Sequence, residues 1–239
     1  MRNATSVFTA VLLVGCLHSS VLAAPAPCSG GVVALTFDDG PTPETNAILD
    51  ELKLYHLKAT FFLIGLNVQA YPEIAQRIIR EGHNVGNHTW DHQDLTLLTD
   101  DEINQELKST NDIIRQVTGV RPKFVRPPYG STNAAVRAVM AKYFLTEVIW
   151  SQDSWDWAGA TTPAILNQLT LVPSGGTLMM HDHLPNTLAA ISGIDWYFNT
   201  YWKERPICAG KLEPTTTVQP VMNWMGLFFF ARAVQWPVP

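Results

Sequence analysis

Short apolar runs alternate with longer amphipathic segments through most of the chain. Strand-like runs cover residues 32–37, 60–65, 83–87, 123–125, 144–150 and 177–180, and helix-like periodicity covers 46–58, 72–81, 99–119, 131–142 and 162–171. Repeated strand–helix order predicts an α/β fold with a parallel sheet, either open or closed into a barrel. In such folds the functional residues collect at the carboxyl ends of the strands.

The clearest helix is predicted between Thr99 and Gly119. Thr99 and Glu102 have the spacing of a capping box, in which each side chain bonds the backbone N–H of the other residue. Gly119 stands where a C-terminal cap is expected. An apolar stripe runs between the two caps at Ile103, Leu107, Ile114 and Val117.

Composition excludes several classes of protein. The 239 residues include 16 Lys and Arg against 21 Asp and Glu, a formal net charge of −5, and only 15% of them are charged. A nucleic-acid-binding protein needs a basic face to neutralise phosphates, and no run of Lys or Arg is present. With 46% hydrophobic and 10% aromatic residues, the chain is neither intrinsically disordered nor a coiled coil. We therefore expect one globular domain with a sizeable core.

Residues 1–23 resemble a secretory signal peptide. Arg2 precedes an apolar run at residues 7–17, and small residues stand near position 23, where a signal peptidase would cut. The run is shorter than the roughly 20 apolar residues of a membrane span, and the alternative is a hydrophobic first helix. We expect an exported protein, located in the extracellular space or the cell wall.

Export would leave Cys28 and Cys208 as the cysteines of the mature chain, because Cys16 lies in the signal segment. In an oxidising compartment a disulfide between them would close a loop of about 180 residues, which the chain-entropy treatment values at up to ~5 kcal/mol. The alternative is a pair of free thiols.

Two adjacent carboxylates, Asp38 and Asp39, follow the first strand-like run and precede Gly40-Pro41. Adjacent side chains on an extended backbone diverge, so one carboxylate is free to bind a metal while the other faces a water molecule, as a hydrolase requires. The alternative is an Asp-Gly-Pro turn with solvated acids.

His88 and His92 are four residues apart, a spacing that would place both imidazoles on one side of a helical turn. Two neutral imidazoles, one carboxylate and an open position make a catalytic rather than a structural zinc site. A pair of ordinary surface histidines is the alternative.

Three further segments place polar or aromatic residues after strand-like runs. Arg126 begins a proline-stiffened loop at 126–130, in which its guanidinium is suited to a bidentate pair with a carboxylate. Residues 153–157 combine acids with tryptophans of the kind that stack on sugar rings, whereas Trp150 is expected in the core. His181 ends the last strand-like run and is suited to act as a general acid.

These five segments, in this order, resemble the polysaccharide deacetylase family, the family-four carbohydrate esterases that share the NodB homology domain. The resemblance covers residues 31–183, and within the family it is greatest to secreted fungal chitin deacetylases. It implies a distorted, incomplete (β/α) barrel in a domain spanning residues 24–210, which agrees with the alternation described above.

The resemblance also implies a role for each matching residue. Asp38 matches the catalytic base, Asp39 with His88 and His92 the metal triad, Arg126 the arginine that orients the base, Tyr129 the residue whose backbone N–H helps to bind the oxyanion, Asp156 the partner of the acid, Trp157 a pocket wall and His181 the catalytic acid. Met179 stands where the family usually has Leu, and we expect it to reshape the pocket for the acetyl methyl group.

The C-terminal part departs from the family pattern. Beyond His183 the family continues with a last helix and strand, whereas residues 194–239 match no such pattern apart from Cys208, so closure of the barrel edge is not predicted. Residues 211–239 form an atypical tail, a polar spacer followed by an interrupted apolar segment. A lipid-anchor signal and a gene-model artefact are the alternatives for this tail.

The expected activity is metal-assisted hydrolysis of N-acetyl groups on an N-acetylglucosamine polymer, with chitin first, giving chitosan and acetate. Zinc is the expected ion, with cobalt and manganese as alternatives. The rival hypotheses are deacetylation of acetylxylan or peptidoglycan, and a secreted chitin-binding protein with little turnover. We expect a monomer that has neither a membrane span nor a nucleic-acid partner.

Overall fold

The computed structural model describes residues 31–200 and 207–212. Within these residues the strands are β1 (Gly31–Asp38), β2 (Thr60–Leu63), β3 (Asn84–Asn87), β4 (Phe124–Val125), β5 (Thr146–Glu147), β6 (Gln152–Asp153), β7 (Thr177–His181) and β8 (Ile207–Gly210). The helices are α1 (Thr45–Leu54), α2 (Gly65–Ala70), α3 (Pro72–Arg80), α4 (Asp100–Thr118), α5 (Ala134–Lys142), α6 (Thr162–Thr170) and α7 (Pro185–Thr200).

The strands form one curled parallel sheet. Their order is β5-β4-β3-β2-β1-β7-β6, and β8 pairs with the first half of β1. Among the described residues no pairing joins β5 to β6, so the barrel is open between these two strands. This is the distorted, incomplete (β/α) barrel that the family resemblance implies.

Strand β1 lies at the centre of the sheet and separates its two faces. Val33, Leu35 and Phe37 are fully buried in the main core, which lies between the sheet and the surrounding helices. The alternate residues Thr36 and Asp38 face the barrel interior, where both accept hydrogen bonds from a buried arginine. The strand period of two residues therefore places the polar side chains on the inner face and the apolar ones under the helices.

A second apolar cluster fills the lower part of the barrel interior. It consists of Ala34, Phe62, Phe124, Val148 and Leu212. The Arg126 guanidinium carbon lies 4.2 Å from the centre of the Phe62 ring. The barrel therefore has an apolar floor with polar groups above it.

The helix predicted between Thr99 and Gly119 is confirmed in detail. Both hydrogen bonds of the capping box are present, and Gly119 has a left-handed backbone with φ 76°. The helix predicted at 46–58 is shorter and ends at Leu54.

The single strand predicted at 144–150 is wrong. Phe144 has φ 57° and is 85% exposed, because it belongs to the turn after α5, and the segment contains only the two-residue strand β5.

The expected departure from the family pattern after His183 is wrong for residues up to 210. Helix α7 follows directly, and β8 pairs with β1 over Gly31 to Ala34. The first residues of the supposed tail also pack on the sheet, since Leu212 is buried and donates its N–H to Thr60 Oγ1 at 3.0 Å. The sequence of α7 lacks a clear amphipathic period, so periodicity does not predict this helix.

Three sequence-based predictions lie outside the described residues. The signal peptide at 1–23 and most of the tail at 211–239 are not described, and the Cys28–Cys208 disulfide involves Cys28, which is not described, and Cys208, of which only the backbone is described. Among the helices that are described, none combines the length and the apolar character needed to cross a bilayer.

Candidate active site

A cavity of about 420 Å³ opens at the carboxyl ends of the strands. It is lined by Asp38, Asp39, His88, His92, Tyr129, Trp150, Asp153, Trp157, Met179 and His181. Eight of these residues are among the sequence-predicted site residues, and the remaining two predicted ones, Arg126 and Asp156, lie directly behind the lining. The fold therefore brings together residues that are up to 143 positions apart in the chain.

Asp39, His88 and His92 present one ligand atom each to a common point. Asp39 Oδ1 lies 3.4 Å from His88 Nε2 and 3.3 Å from His92 Nε2, and the three ligand atoms all lie within 4.8 Å of one another. Zinc bonds of roughly 2.0–2.1 Å in a tetrahedral site imply ligand atoms about 3.3 Å apart. The donor set and its spacing therefore fit a divalent metal such as zinc.

The two histidines reach this point from a loop, not from the helical turn that their spacing suggested. Thr89 and His92 both have left-handed backbones with φ 66°. Asn87 Oδ1 accepts the Thr89 N–H at 2.8 Å, and Thr89 Oγ1 accepts the His92 N–H at 3.1 Å. Glu106 Oε2 on α4 also accepts the Trp90 N–H at 2.7 Å. These bonds hold the loop in the shape that makes the imidazoles converge.

Hydrogen bonds on the opposite ring nitrogens orient both imidazoles. His88 Nδ1 donates to the Arg126 carbonyl at 2.7 Å, which leaves Nε2 of the neutral ring free to bind a metal. His92 Nδ1 lies 3.2 Å from the Tyr129 hydroxyl, and the two rings meet edge to face. Burial, together with the neighbouring His88 imidazole, lowers the pKa of His92, which favours the neutral ring that ligation requires.

Asp38 is held by a fully buried arginine. Arg126 Nη1 donates to Asp38 Oδ1 at 2.7 Å and to Thr36 Oγ1 at 2.9 Å, and Nε donates to the Val148 carbonyl at 3.1 Å. Both charged side chains lie almost wholly out of solvent, with exposures of 0% and 3%. The pairing predicted for Arg126 is therefore present, although it uses one nitrogen of the guanidinium rather than a bidentate fork.

Asp38 and Asp39 diverge for a different reason than the sequence suggested. The backbone at Asp39 is left-handed, with φ 74°, so the chain has already left the extended conformation. Asn67 Nδ2 donates to the Asp39 carbonyl at 2.7 Å and supports this turn. Burial would raise the pKa of Asp39, but the imidazoles of His88, His181 and His92 hold it well below its usual range, so the carboxylate is ionised as a metal ligand must be.

His181 faces the same cavity from the end of β7 and is bound to Asp156. Its Nδ1 lies 2.8 Å from Asp156 Oδ1, and its Nε2 lies 3.9 Å from Asp39 Oδ2. Burial alone would lower the pKa of His181, but the bond to Asp156 and the charges of Asp156, Asp38 and Asp39 raise it to about 9. His181 is therefore protonated at neutral pH, as a general acid must be.

Asp156 is positioned by four donors. It accepts the His181 N–H, the Trp157 N–H and the Thr187 hydroxyl, besides the His181 ring. Burial would raise the pKa of Asp156, but these bonds and the His181 charge lower it. Thr187 lies on α7, a helix that the sequence analysis did not predict.

Aromatic side chains form the walls of the cavity. Trp157 and Tyr129 are 56% and 67% exposed, and buried Met179 lies beside them in β7. Trp150 was expected in the core, but it is half-buried and lines the cavity. Asp153 was grouped with the acids of residues 153–157 but was not assigned a specific role, and its carboxylate accepts the Trp157 indole N–H at 3.2 Å. Asp153 is the last residue of β6 and Trp150 lies between β5 and β6, so the available signal was their position near a strand end.

Comparisons with known proteins agree with this geometry. The sequence profile of the family described as "Polysaccharide deacetylase" matches residues 26–148. The chain is 43% identical over 153 residues to the peptidoglycan-N-acetylmuramic acid deacetylase PdaC of Bacillus subtilis, covering 63% of this chain and 32% of that protein. It is 40% identical over 147 residues to a chitin deacetylase of Amylomyces rouxii, covering 61% of this chain and 34% of that protein. The chain thus spans about a third of the length of these two relatives.

A solved structure resembles the whole described barrel. A family 4 carbohydrate esterase from Streptomyces lividans, in complex with acetate, superposes with a TM-score of 0.74 at 39% identity, covering 79% of this chain and 96% of that one. Profile, sequence identity and fold therefore agree with the arrangement of carboxylates and imidazoles in the cavity, and the chain belongs to the polysaccharide deacetylase family.

Proposed function

We propose that the protein hydrolyses N-acetyl groups of an N-acetylglucosamine polymer, with chitin as the first substrate, and releases acetate. The observation that carries this proposal is the cavity in which Asp38, the Asp39–His88–His92 set and protonated His181 face one another. Amide hydrolysis needs a base that takes a proton from the attacking water and an acid that protonates the leaving amine. Asp38 and His181 lie beside the metal-ligand set and are suited to these two roles.

The residues of the chain have separable roles in this reaction. Asp39, His88 and His92 would hold a divalent cation, which would supply Lewis acidity to polarise a carbonyl and lower the pKa of water. Asp38, fixed by Arg126, accepts the proton of the attacking water. His181, fixed by Asp156, donates the proton that the departing amine needs. The Tyr129 backbone N–H is assigned as a donor to the oxygen of the scissile amide.

Zinc is the ion that we propose first. Two imidazole nitrogens and one carboxylate oxygen form a mixed donor set of the type found in catalytic zinc sites, in which a further position stays open. Cobalt and manganese accept similar ligands, so the native ion is to be identified by metal analysis of the protein from its own source.

A groove continues from the cavity and supports a polymeric substrate. It has a volume of about 410 Å³ and shares Tyr129, Trp150 and Asp153 with the cavity. Trp155, which is 48% exposed, lies in its wall with its ring centre 5.5 Å from that of Trp157. Flat aromatic faces at the rim of a groove favour stacking on successive sugar rings.

The charges of the cleft favour a neutral glycan. Arg126 is buried and paired with Asp38, and Arg137 in the groove lies 3.7 Å from the Glu147 carboxylate. Asp153 contributes a further acid, although burial raises its pKa. The described lining therefore offers no unpaired cation to the lactyl and peptide carboxylates of peptidoglycan, whereas chitin carries no charge.

Peptidoglycan remains the second candidate because the bacterial relative with 43% identity is named for that substrate. Acetylxylan and a binding role without turnover are the further alternatives. We also propose that the protein is exported, on the basis of residues 1–23, and N-terminal sequencing of the mature protein tests this by showing whether it begins near residue 24.

Acetate release tests the proposed function. The purified zinc-loaded protein is incubated separately with N-acetylglucosamine oligomers, peptidoglycan strands and acetylxylan, and Asp38→Asn serves as the inactive control. We expect acetate chiefly from the N-acetylglucosamine oligomers. Preferential release from peptidoglycan would move the substrate to the second candidate, and the absence of release from all three would refute the enzymatic proposal.

A further inference from the structure

A second cavity lies at the opposite end of the barrel. Its volume is about 380 Å³, and Asn84 and Phe124, the first residues of β3 and β4, are in its lining. The site histidine His88 follows the other end of β3, about 13 Å away at ~3.3 Å per residue. Because the Phe62–Phe124–Leu212 cluster fills the barrel between the two ends, this cavity is separate from the active site.

The lining of this cavity is basic. Arg121, Lys123 and Lys211 contribute to it, and none of its described lining residues is acidic. Within the described residues none of the three cations forms an ion pair. Glu81, the acid close to the cavity, is engaged by Arg77 through Oε1 at 2.7 Å, while its buried Oε2 has no hydrogen-bond partner. Lys58 adds a further positive charge through its bond to the Glu81 carbonyl at 2.6 Å.

His83 also lines this cavity, and its buried imidazole has an N–H without a partner. His83 is 3% exposed, and its Nδ1 accepts the Ala59 backbone N–H at 3.2 Å. The proton of the neutral ring is therefore on Nε2, which has no hydrogen-bond partner. A buried donor left unpaired carries a desolvation cost, so an acceptor at this position is expected.

The neutral state of His83 is itself well supported. Burial lowers the pKa of His83 to about 4, and the charges of Lys58 and Lys211 contribute in the same direction. The ring therefore keeps a single N–H donor at neutral pH and adds no charge of its own. A negatively charged acceptor would satisfy this donor and balance the surrounding cations at the same time.

We propose that this cavity binds a small organic oxyanion, a phosphate monoester or a carboxylate, through the His83 Nε2–H and the cations Arg121, Lys123 and Lys211. The cavity is larger than a bare anion needs, and Val85, Val120 and Phe124 provide an apolar wall beside the cations. This combination fits a sugar ring that carries the anionic group. The site is independent of the proposed deacetylation.

Titration calorimetry with three probes tests the proposal on the full chain. Glucose 6-phosphate and glucuronate distinguish a phosphate from a carboxylate ligand, and glucose is the neutral control. We expect one of the anions to bind and glucose not to bind. Binding of neither anion, or equal binding of glucose, would overturn the proposal.

Charge-removing variants locate the binding site, since an anion could also bind a metal in the active site. We expect Lys123→Gln with Lys211→Gln to weaken anion binding by roughly tenfold or more. The matched control is Lys53→Gln, which removes an exposed charge at the end of α1. Unchanged affinity in the double variant, or an equal loss in Lys53→Gln, would show that the anion binds elsewhere.

Histidine-ring NMR gives a readout that does not depend on activity. The His83 Nε2–H resonance should move on addition of the bound anion in the wild type and in Lys53→Gln. The double variant should require a higher anion concentration for the same change. A His83 resonance that never responds would refute the assignment of its N–H as the buried donor.

Discussion

The protonated state of His181 should depend on Asp156. Asp156 accepts the His181 ring N–H at 2.8 Å, and the His181 side chain is only 13% exposed. The difference between an ordinary histidine and a pKa of about 9 corresponds to about 3 kcal/mol in favour of the protonated ring, at 1.36 kcal/mol per pH unit. In Asp156→Asn, burial still lowers the pKa of His181, but the Asp156 carboxylate that mainly opposes this effect is gone. We expect the pKa of His181 to fall by roughly two pH units.

The same interaction should appear in the pH dependence of stability. Because the pKa of His181 is raised on folding, its contribution is complete below the unfolded value of 6.5 and is lost as pH rises through about 9. The difference in unfolding free energy between the wild type and Asp156→Asn should therefore be about 3 kcal/mol larger at pH 6 than at pH 10. The loss of the hydrogen bonds from Trp157 and Thr187 adds a contribution to the difference in unfolding free energy that does not vary with pH.

Two measurements on the metal-free protein check this prediction. NMR titration of the imidazole resonances gives the pKa of His181 directly, with the exposed His56 as internal reference, and urea unfolding at pH 6 and pH 10 gives the free-energy difference. If His181 titrates at the same pH in both proteins, Asp156 does not hold its proton, and the assignment of His181 as the acid loses its support.

Three further predictions concern the other site residues. Asp38→Asn should retain bound metal but lower turnover by roughly 10² to 10⁴-fold, whereas Asp39→Asn should first lose metal. Metal analysis and acetate release, measured on both variants, distinguish the two effects. Metal loss in Asp38→Asn with metal retained in Asp39→Asn would exchange the two roles. Arg126→Met should lower the unfolding free energy by about 3–5 kcal/mol, because the Asp38 carboxylate stays buried without its partner. Urea unfolding measures this loss. If Arg126→Met costs as much in an Asp38→Asn background, where no carboxylate is left unpaired, the explanation is wrong. Asn87, in the sequon Asn87-His88-Thr89, should stay unglycosylated in a eukaryotic host, because its Nδ2 is buried and donates to the Leu107 carbonyl; mass spectrometry of active protein showing a stoichiometric glycan there would count against the site.

Local patterns in the sequence were sufficient for much of the architecture. The alternation of strand-like and helix-like segments predicted a parallel sheet, and the family resemblance predicted that this sheet forms an incomplete barrel. The capping box and terminal glycine predicted both ends of α4. Candidate chemistry was found because Asp38, His88, Arg126 and His181 all stand at or directly after a strand end. Strands in a parallel sheet share one orientation, so these positions meet at one edge whatever the connections between them.

Tertiary structure decided how the site is built. The left-handed backbones at Asp39, Thr89 and His92 are held by hydrogen bonds in which Asn67 donates and Asn87 and Glu106 accept. These three residues lie on other elements or at their ends, so no local period predicts the backbone shape. The exposure of Trp150 likewise depends on the open edge between β5 and β6. Strand β8 was missed because its position is fixed by long-range pairing with β1, and helix α7 because its position is fixed by packing against α6 and α1. The energy of such contacts depends on the residues of the partner segments as much as on those of α7 and β8 themselves.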